Sequence, residues 1–371
     1  MGLPQVSLRR PSLPPGPRSM PEPTTWTWTP PAREEPSSGV RSLADRLRAC
    51  AEDRASSART LAREAARELR AWIAERPRGW GETPAASTSV GLELEDGLRP
   101  WAEGQAWRGP CALFLDCLRR AFLEARDGAQ GPRAALLAEL TAWSEERADG
   151  EWDSRPGTTG RRLPDPGVIA ARAVEQLERG ESLLVHGHSE EVIAAVVAAQ
   201  EAGLAPQVIV GAGAPDQGGK RTARELSVRG VAVRVLWDAA VLSRVVDCDR
   251  LWLGLEALAP DQFVGVVGTS TLLGEAARAE VPVQALCGRD AWMPGGELEL
   301  PAWGEQESWS LWSHPPEEVA VESQPFETVH CELVGSWITE RGLESLADFS
   351  LRALTLEPAP PCASPGREAE Q

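Results

Sequence analysis

The chain has no tyrosine, no asparagine and a single lysine, Lys220, among its 371 residues. Its other basic residues are all arginine, and 15 tryptophans stand beside only five phenylalanines. A GC-rich coding sequence accounts for this usage, so a motif departure that follows the same bias carries less weight. Positive charge is scarce: 38 Lys and Arg against 55 Asp and Glu leave a net charge of −17. A chain this acidic is a poor partner for nucleic acid or an anionic membrane, and direct binding to either is not expected. No apolar run is long enough to suggest a membrane span. The opening MGLPQVSLRRPSLPPGPRSM has arginines but lacks the apolar stretch of a secretory signal, so a cytoplasmic location is expected. No C-x-x-C pair occurs among Cys50, Cys111, Cys117, Cys248, Cys287, Cys331 and Cys362. Neither a disulfide framework nor a zinc site follows, and no metal or cofactor is expected.

What is present divides into four stretches. Residues 1–40 are rich in Pro and Ser, interrupted by TTWTWTP, and read as a disordered tail. Residues 355–371 read as a second tail. Between them, 41–164 carries apolar residues three and four apart, as in SLADRLRACAEDRASSARTLAREAARELRAWIAE, GPCALFLDCLRRAFLEARDG and GPRAALLAELTAWSEERADG. This is the pattern of a small helical domain. From 165 to 354 the rhythm changes. Short apolar runs (SLLVHG, PQVIVGA, VAVRVLW, RLWLGLEAL, VPVQALC) alternate with helical stretches (EEVIAAVVAAQEAG, GKRTARELSVRG, DAAVLSRVVD, TSTLLGEAARAE). Such alternation predicts an α/β, Rossmann-like parallel sheet covered on both faces. Ligands of these sheets sit at the carboxyl ends of the strands, which directs attention to 187–189, 211–220, 238, 254–256 and 268–270. The Trp-rich segment 303–318 has no assigned role.

Two nucleotide motifs fail in VIVGAGAPDQGGKRTARE, residues 208–225. A Walker A loop would need glycine at Ala214 and a hydroxyl at Arg221. A dinucleotide fingerprint on Gly211 and Gly213 would need glycine at Asp216. What remains is a glycine-rich helix start with Gly219 and Lys220, able to hold an anion, or a solvated turn with no ligand.

Five blocks occur in order: LLVHGHSEEV, GGKRTARELSVRGVAVRVLWDAAV, LWLGLEAL, VVGTSTLLGEAARAEVPV and PFETVHCELVGSWITERG. Together they resemble the superfamily of the alpha, beta and delta regulatory subunits of eukaryotic translation initiation factor 2B. That superfamily also contains methylthioribose-1-phosphate isomerase and ribose-1,5-bisphosphate isomerase. The resemblance covers 165–350 by motif and 41–164 by helical architecture alone. It implies dimerisation or higher assembly through the sheet domain, with GSWITERG at the contact, and in some members a sugar phosphate or nucleoside monophosphate ligand.

The isomerase branch needs a thiol and a carboxyl group to move hydrogen between C1 and C2, with cations or amides on the phosphate. Where the resemblance implies a catalytic cysteine, this chain has Gly187, within His186-Gly187-His188-Ser189. The implied aspartate is Glu256, which either faces a ligand or pairs at a strand end. Other polar family positions read Ala212, Ala214, Gly265, Val266 and Ala291. The remaining ligand-binding candidates are Gly187, His188, Ser189, Gly219, Lys220, Asp238, Glu256, Gly268, Thr269 and Ser270. For Asp238 and the Gly268-Thr269 turn, helix capping is the competing role. Cys287, at a strand end, reads as a buried structural thiol. These losses favour a non-catalytic regulatory or binding role related to initiation factor 2B, with a vestigial sugar-phosphate or nucleotide pocket. The alternatives are a divergent aldose–ketose isomerase using Glu256 with His188, and a scaffold with no ligand.

Overall fold

The computed structural model describes residues 42–53, 56–127, 131–144, 165–293, 298–300, 311–312 and 314–355. The tail 1–40 with its TTWTWTP, residues 356–371, and 301–310 of the Trp-rich segment lie outside the described residues.

The helical part comprises α1 (Leu43–Glu52), α2 (Ala58–Ala74), α3 (Ser87–Gln105), α4 (Gly109–Asp127) and α5 (Pro132–Ser144). The long arginine-rich pattern at its start is broken into α1 and α2. Ser42 and Ser57 each accept an amide three residues on, from Asp45 and Thr60 at 3.1 Å, and so each opens its own helix. Helix α3 escapes periodicity reading, because Gly91, Gly97, Gly104 and Pro100 dilute its apolar stripe. Its glycines serve packing: a Cβ at Gly104 would lie 2.6 Å from the Ala51 carbonyl of α1. Leu47, Leu61, Leu69, Trp101 and Phe114 form the centre of this core, with Trp101 and Phe114 edge to face.

The sheet part begins with α6 (Pro166–Val174) and β1 (Ser182–His186). It continues through α7 (Glu190–Glu201), β2 (Gln207–Gly211), α8 (Gly218–Val228), β3 (Ala232–Leu236), the single turn α9 (Asp238–Val241) and β4 (Arg250–Leu253). After these come β5 (Ala257–Leu258), β6 (Gln262–Val266), α10 (Thr269–Arg278), β7 (Val283–Leu286), β8 (Phe326–His330), β9 (Ser336–Thr339), β10 (Gly342–Glu344) and α11 (Leu346–Thr355). Seven strands form one sheet in the order β10-β9-β7-β4-β1-β2-β3, parallel except for the β9–β10 hairpin. Alternate residues of each strand serve opposite faces. Leu183 and Val185 join Trp252 and Ile338 under α6 and α7, while Leu184 joins Leu251, Leu253 and Trp337 on the other side.

Two expectations change on folding. RLWLGLEAL is not one strand: β4 lies in the large sheet and β5 in a separate antiparallel sheet, β5-β6-β8. DAAVLSRVVD forms one α turn and then a 3-10 helix over Leu242–Asp247. The chain builds β1, β2 and β3 outward, then returns to place β4 on the other side of β1. The strand order therefore reverses between β1 and β4, where open parallel sheets leave a crevice.

Candidate functional site

The crevice is a cleft bounded by the carboxyl ends of β1 and β4, strand β6, the turn after β7, and the start of α2. Its cavity volume is about 30 Å³. That holds about two water molecules, whereas drug-sized ligand pockets run from roughly 300 Å³ upward.

At the end of β1, Gly187 has φ +76°. A Cβ there would lie 2.8 Å from Val266 Cγ2. Any side chain is thus strained twice, by the left-handed backbone and by a branched neighbour that fills the space. The position carries no thiol, and its geometry resists one. Beside it, His188 meets Thr222 (Nδ1 to Oγ1, 3.1 Å), whose hydroxyl donates to the Gly187 carbonyl at 2.9 Å. With that hydroxyl proton committed, Nδ1 must be the donor, and Nε2 keeps its lone pair. Burial, assisted by Arg221, lowers the His188 pKa to about 4, so the ring is neutral at pH 7. Ser189 caps α7, accepting from the Val192 amide and donating to Glu191 Oε2 at 2.6 Å.

The β4–β5 break places Glu256 opposite. Its Oε2 lies 3.0 Å from Arg108 Nε, at an angle outside that of a hydrogen bond. Arg108 is 1% exposed, donates to the Ser56 carbonyl at 3.0 Å, and lies 5.1 and 5.3 Å from the ring centroids of Trp107 and Phe326. Burial raises the Glu256 carboxyl above its usual range, with Arg108 opposing the shift. Across the cleft, buried Arg59 bridges two carboxylates, Glu191 at 2.8 Å and Asp290 Oδ1 at 2.7 Å. Burial lifts Asp290 to about 7 against the pull of Arg59. Glu190 accepts from Ser57 and Thr60, and these hydroxyls with Arg63 hold it low despite its burial. Cys287 also lines the cleft, its thiol pushed well above the ordinary range by burial and therefore protonated at neutral pH.

The structure thus brings His188, Ser189 and Glu256 into the lining of one cleft, with Gly187 next to His188 in the chain. The other candidates are placed elsewhere. Asp238 accepts from the Gly213 and Ala214 amides, at 2.8 and 3.0 Å, and so clamps the 211–214 loop instead of capping a helix. Gly219 is a close-approach position: its Cβ would overlap the Gly211 carbonyl. Lys220 is exposed and is not part of the cleft wall. At Gly268-Thr269-Ser270, the first turn of α10 is already engaged within the chain. Thr269 Oγ1 donates to the Val266 carbonyl at 2.5 Å, and the Ser270 amide donates to Glu327 Oε1 at 2.7 Å. Among the described residues, no group of three or more His, Cys, Asp or Glu is arranged to hold a metal ion.

Sequence reasoning missed Arg59, Arg108, Glu190, Glu191, Asp290 and Glu327. Glu190 and Glu191 were visible as acids in the first turn of α7, where they complement the helix dipole. Nothing local marks Arg59 or Arg108 among so many arginines, since their carboxylate partners are far away in the chain.

Residues 166–344 match the family described as the initiation factor 2 subunit family. A ribose 1,5-bisphosphate isomerase of Haloferax volcanii is 31% identical over 124 residues, covering 33% of this chain and 38% of that relative's length. The fold is shared with 5-methylthioribose 1-phosphate isomerase from Pyrococcus horikoshii OT3, at TM-score 0.62 and 15% identity over 85% of this chain and 88% of that one. It is shared also with a chain of the tetrameric eIF2B β2δ2 complex from Chaetomium thermophilum, at TM-score 0.57 and 14% identity over 84% and 93%. The family resemblance of this chain therefore lies in its sheet region, residues 166–344.

Proposed function

We propose that the chain is a non-catalytic, regulatory or binding member of the initiation factor 2B-related proteins, with no sugar-phosphate isomerase activity. One observation carries this: at the position where the isomerase pattern places its thiol, Gly187 has a left-handed backbone and Val266 occupies the side-chain space. The remaining groups do not replace the thiol. Cys287 is held protonated, and Glu256 is engaged by Arg108. The acid–base pair that an aldose–ketose shift requires therefore has one partner at most. A phosphate also finds little welcome. The first turn of α10 already holds the Glu327 carboxylate, and Lys220 stands outside the cleft. Resemblance to oligomeric relatives supports assembly as a homodimer or higher oligomer in the cytoplasm, which sedimentation of the purified chain tests.

The deciding experiment is phosphorus NMR of the protein with ribose 1,5-bisphosphate, methylthioribose 1-phosphate and AMP. The expected spectra show no ketose-phosphate resonance at any incubation time. Appearance of that resonance, abolished by Glu256→Gln, would establish a divergent isomerase and overturn the reading.

A further inference from the structure

We infer that the cleft binds a small alkylammonium ion, an inference that rests on the non-catalytic reading above and names the ligand chemistry of the same site. Two polar atoms in the cleft wall are buried and have no hydrogen-bond partner among the described residues: Asp290 Oδ2 and His186 Nε2. Asp290 is only 3% exposed, and its other oxygen is committed to Arg59. Burial keeps the His186 ring neutral, and the ring bonds to the backbone at Val266 and Val267. With Nδ1 protonated in a neutral ring, the unpartnered Nε2 offers its lone pair. His188 Nε2 is likewise a lone pair, 3.7 Å from Glu225, beyond hydrogen-bond distance. Among the lining side chains, Asp290 Oδ2 and His188 Nε2 are therefore acceptors left over.

The charge balance points the same way. Four carboxyl groups line the cleft (Glu190, Glu191, Glu256 and Asp290), and Arg59, Arg63 and Arg108 stand against them. A phosphate brings acceptors and negative charge to a site whose carboxyl groups outnumber its arginines. An ammonium group brings three donors and one positive charge. A volume of about 30 Å³ admits an ammonium head with a methyl group. Asp290 faces Arg59, Glu191 and Glu340, and the cation replaces the proton that this crowding keeps on its carboxyl near neutrality. Binding then releases a proton and strengthens as pH rises.

The test uses methylammonium chloride against sodium chloride of equal ionic strength. Saturation-transfer NMR is read on the methyl protons, with calorimetry in two buffers of different ionisation enthalpy. The expected result is saturable binding in the millimolar range, tighter at pH 8 than at pH 6, with proton release. Asp290→Asn and, independently, His186→Leu each weaken binding about tenfold or more, as loss of a hydrogen bond to a charged group does. No saturation of the wild-type protein up to about 50 mM, where a millimolar site fills, would mean that the acceptors meet water only and would overturn the inference. Undiminished binding in both variants would place the ion elsewhere and overturn it too. Either failure leaves the phosphorus NMR result unchanged, whereas turnover there sinks the non-catalytic reading whatever methylammonium does.

Discussion

Replacing Gly187 by alanine isolates the physical reason that the cleft lacks a thiol. The residue sits at φ +76°, where an L side chain costs about 1–2 kcal/mol. Its new Cβ would approach Val266 Cγ2 to 2.8 Å. Val266 is β-branched and lies within β6, so it has little freedom to turn away. Overpacking of this kind costs roughly 1–3 kcal/mol. Gly187→Ala should therefore destabilise the chain by about 2–5 kcal/mol, a large part of the 5–15 kcal/mol typical of folded domains. Val266→Ala removes the clash and leaves the backbone strain. The double variant should recover about 1–3 kcal/mol relative to additivity, a coupling of the size seen for residues in contact. The assay is urea unfolding followed by tryptophan fluorescence, with stability from the midpoint at constant slope. A loss below about 1 kcal/mol for Gly187→Ala, or strict additivity with Val266→Ala, would refute the reasoning. Position 187 would then be open to a side chain, and the missing thiol would be a substitution without structural consequence.

Asp290 and His188 should leave opposite marks on the pH dependence of stability. The folded-state pKa of Asp290 is raised from 3.8 to about 7, so its contribution is present at low pH and is lost as pH rises through about 7. That of His188 is lowered from 6.5 to about 4, so its contribution is present above 6.5 and is lost as pH falls through about 4. Denaturation midpoints of Asp290→Asn should therefore fall on acidification more steeply than those of the wild type, and those of His188→Gln should fall more on alkalinisation. Superimposable profiles would remove both assignments. Glu327→Gln, which takes the charge from the first turn of α10, should cost about 0.5–2 kcal/mol at low salt and less at high salt. Equal stability in urea titrations at both ionic strengths would show that the carboxylate contributes nothing there.

The alternation of Val- and Leu-rich runs with helical stretches was legible because parallel strands buried on both faces need continuous apolar sequence. Runs such as SLLVH and QVIVG have few other solutions, and both became central strands. Gly187 and Glu256 were legible because each sits in a short ordered block, SLLVHG and LWLGLE, whose position in the chain assigns it to a strand end. The limits of local pattern appear at α3, where glycines that admit α1 closely erase the apolar stripe, and at RLWLGLEAL, whose two halves enter different sheets. Tertiary structure alone decided the partners of the site. Arg59 lies 231 residues from Asp290, and Glu327 lies 57 from Ser270. A buried ion pair or an occupied helix terminus depends on two groups meeting out of water, and such a meeting leaves no periodicity in either segment. The sequence by itself therefore determined the alternation of strands and helices, the crevice and the lack of a thiol at position 187. Folding decided which charges fill the crevice, because desolvation and pairing act on distance in space rather than along the chain.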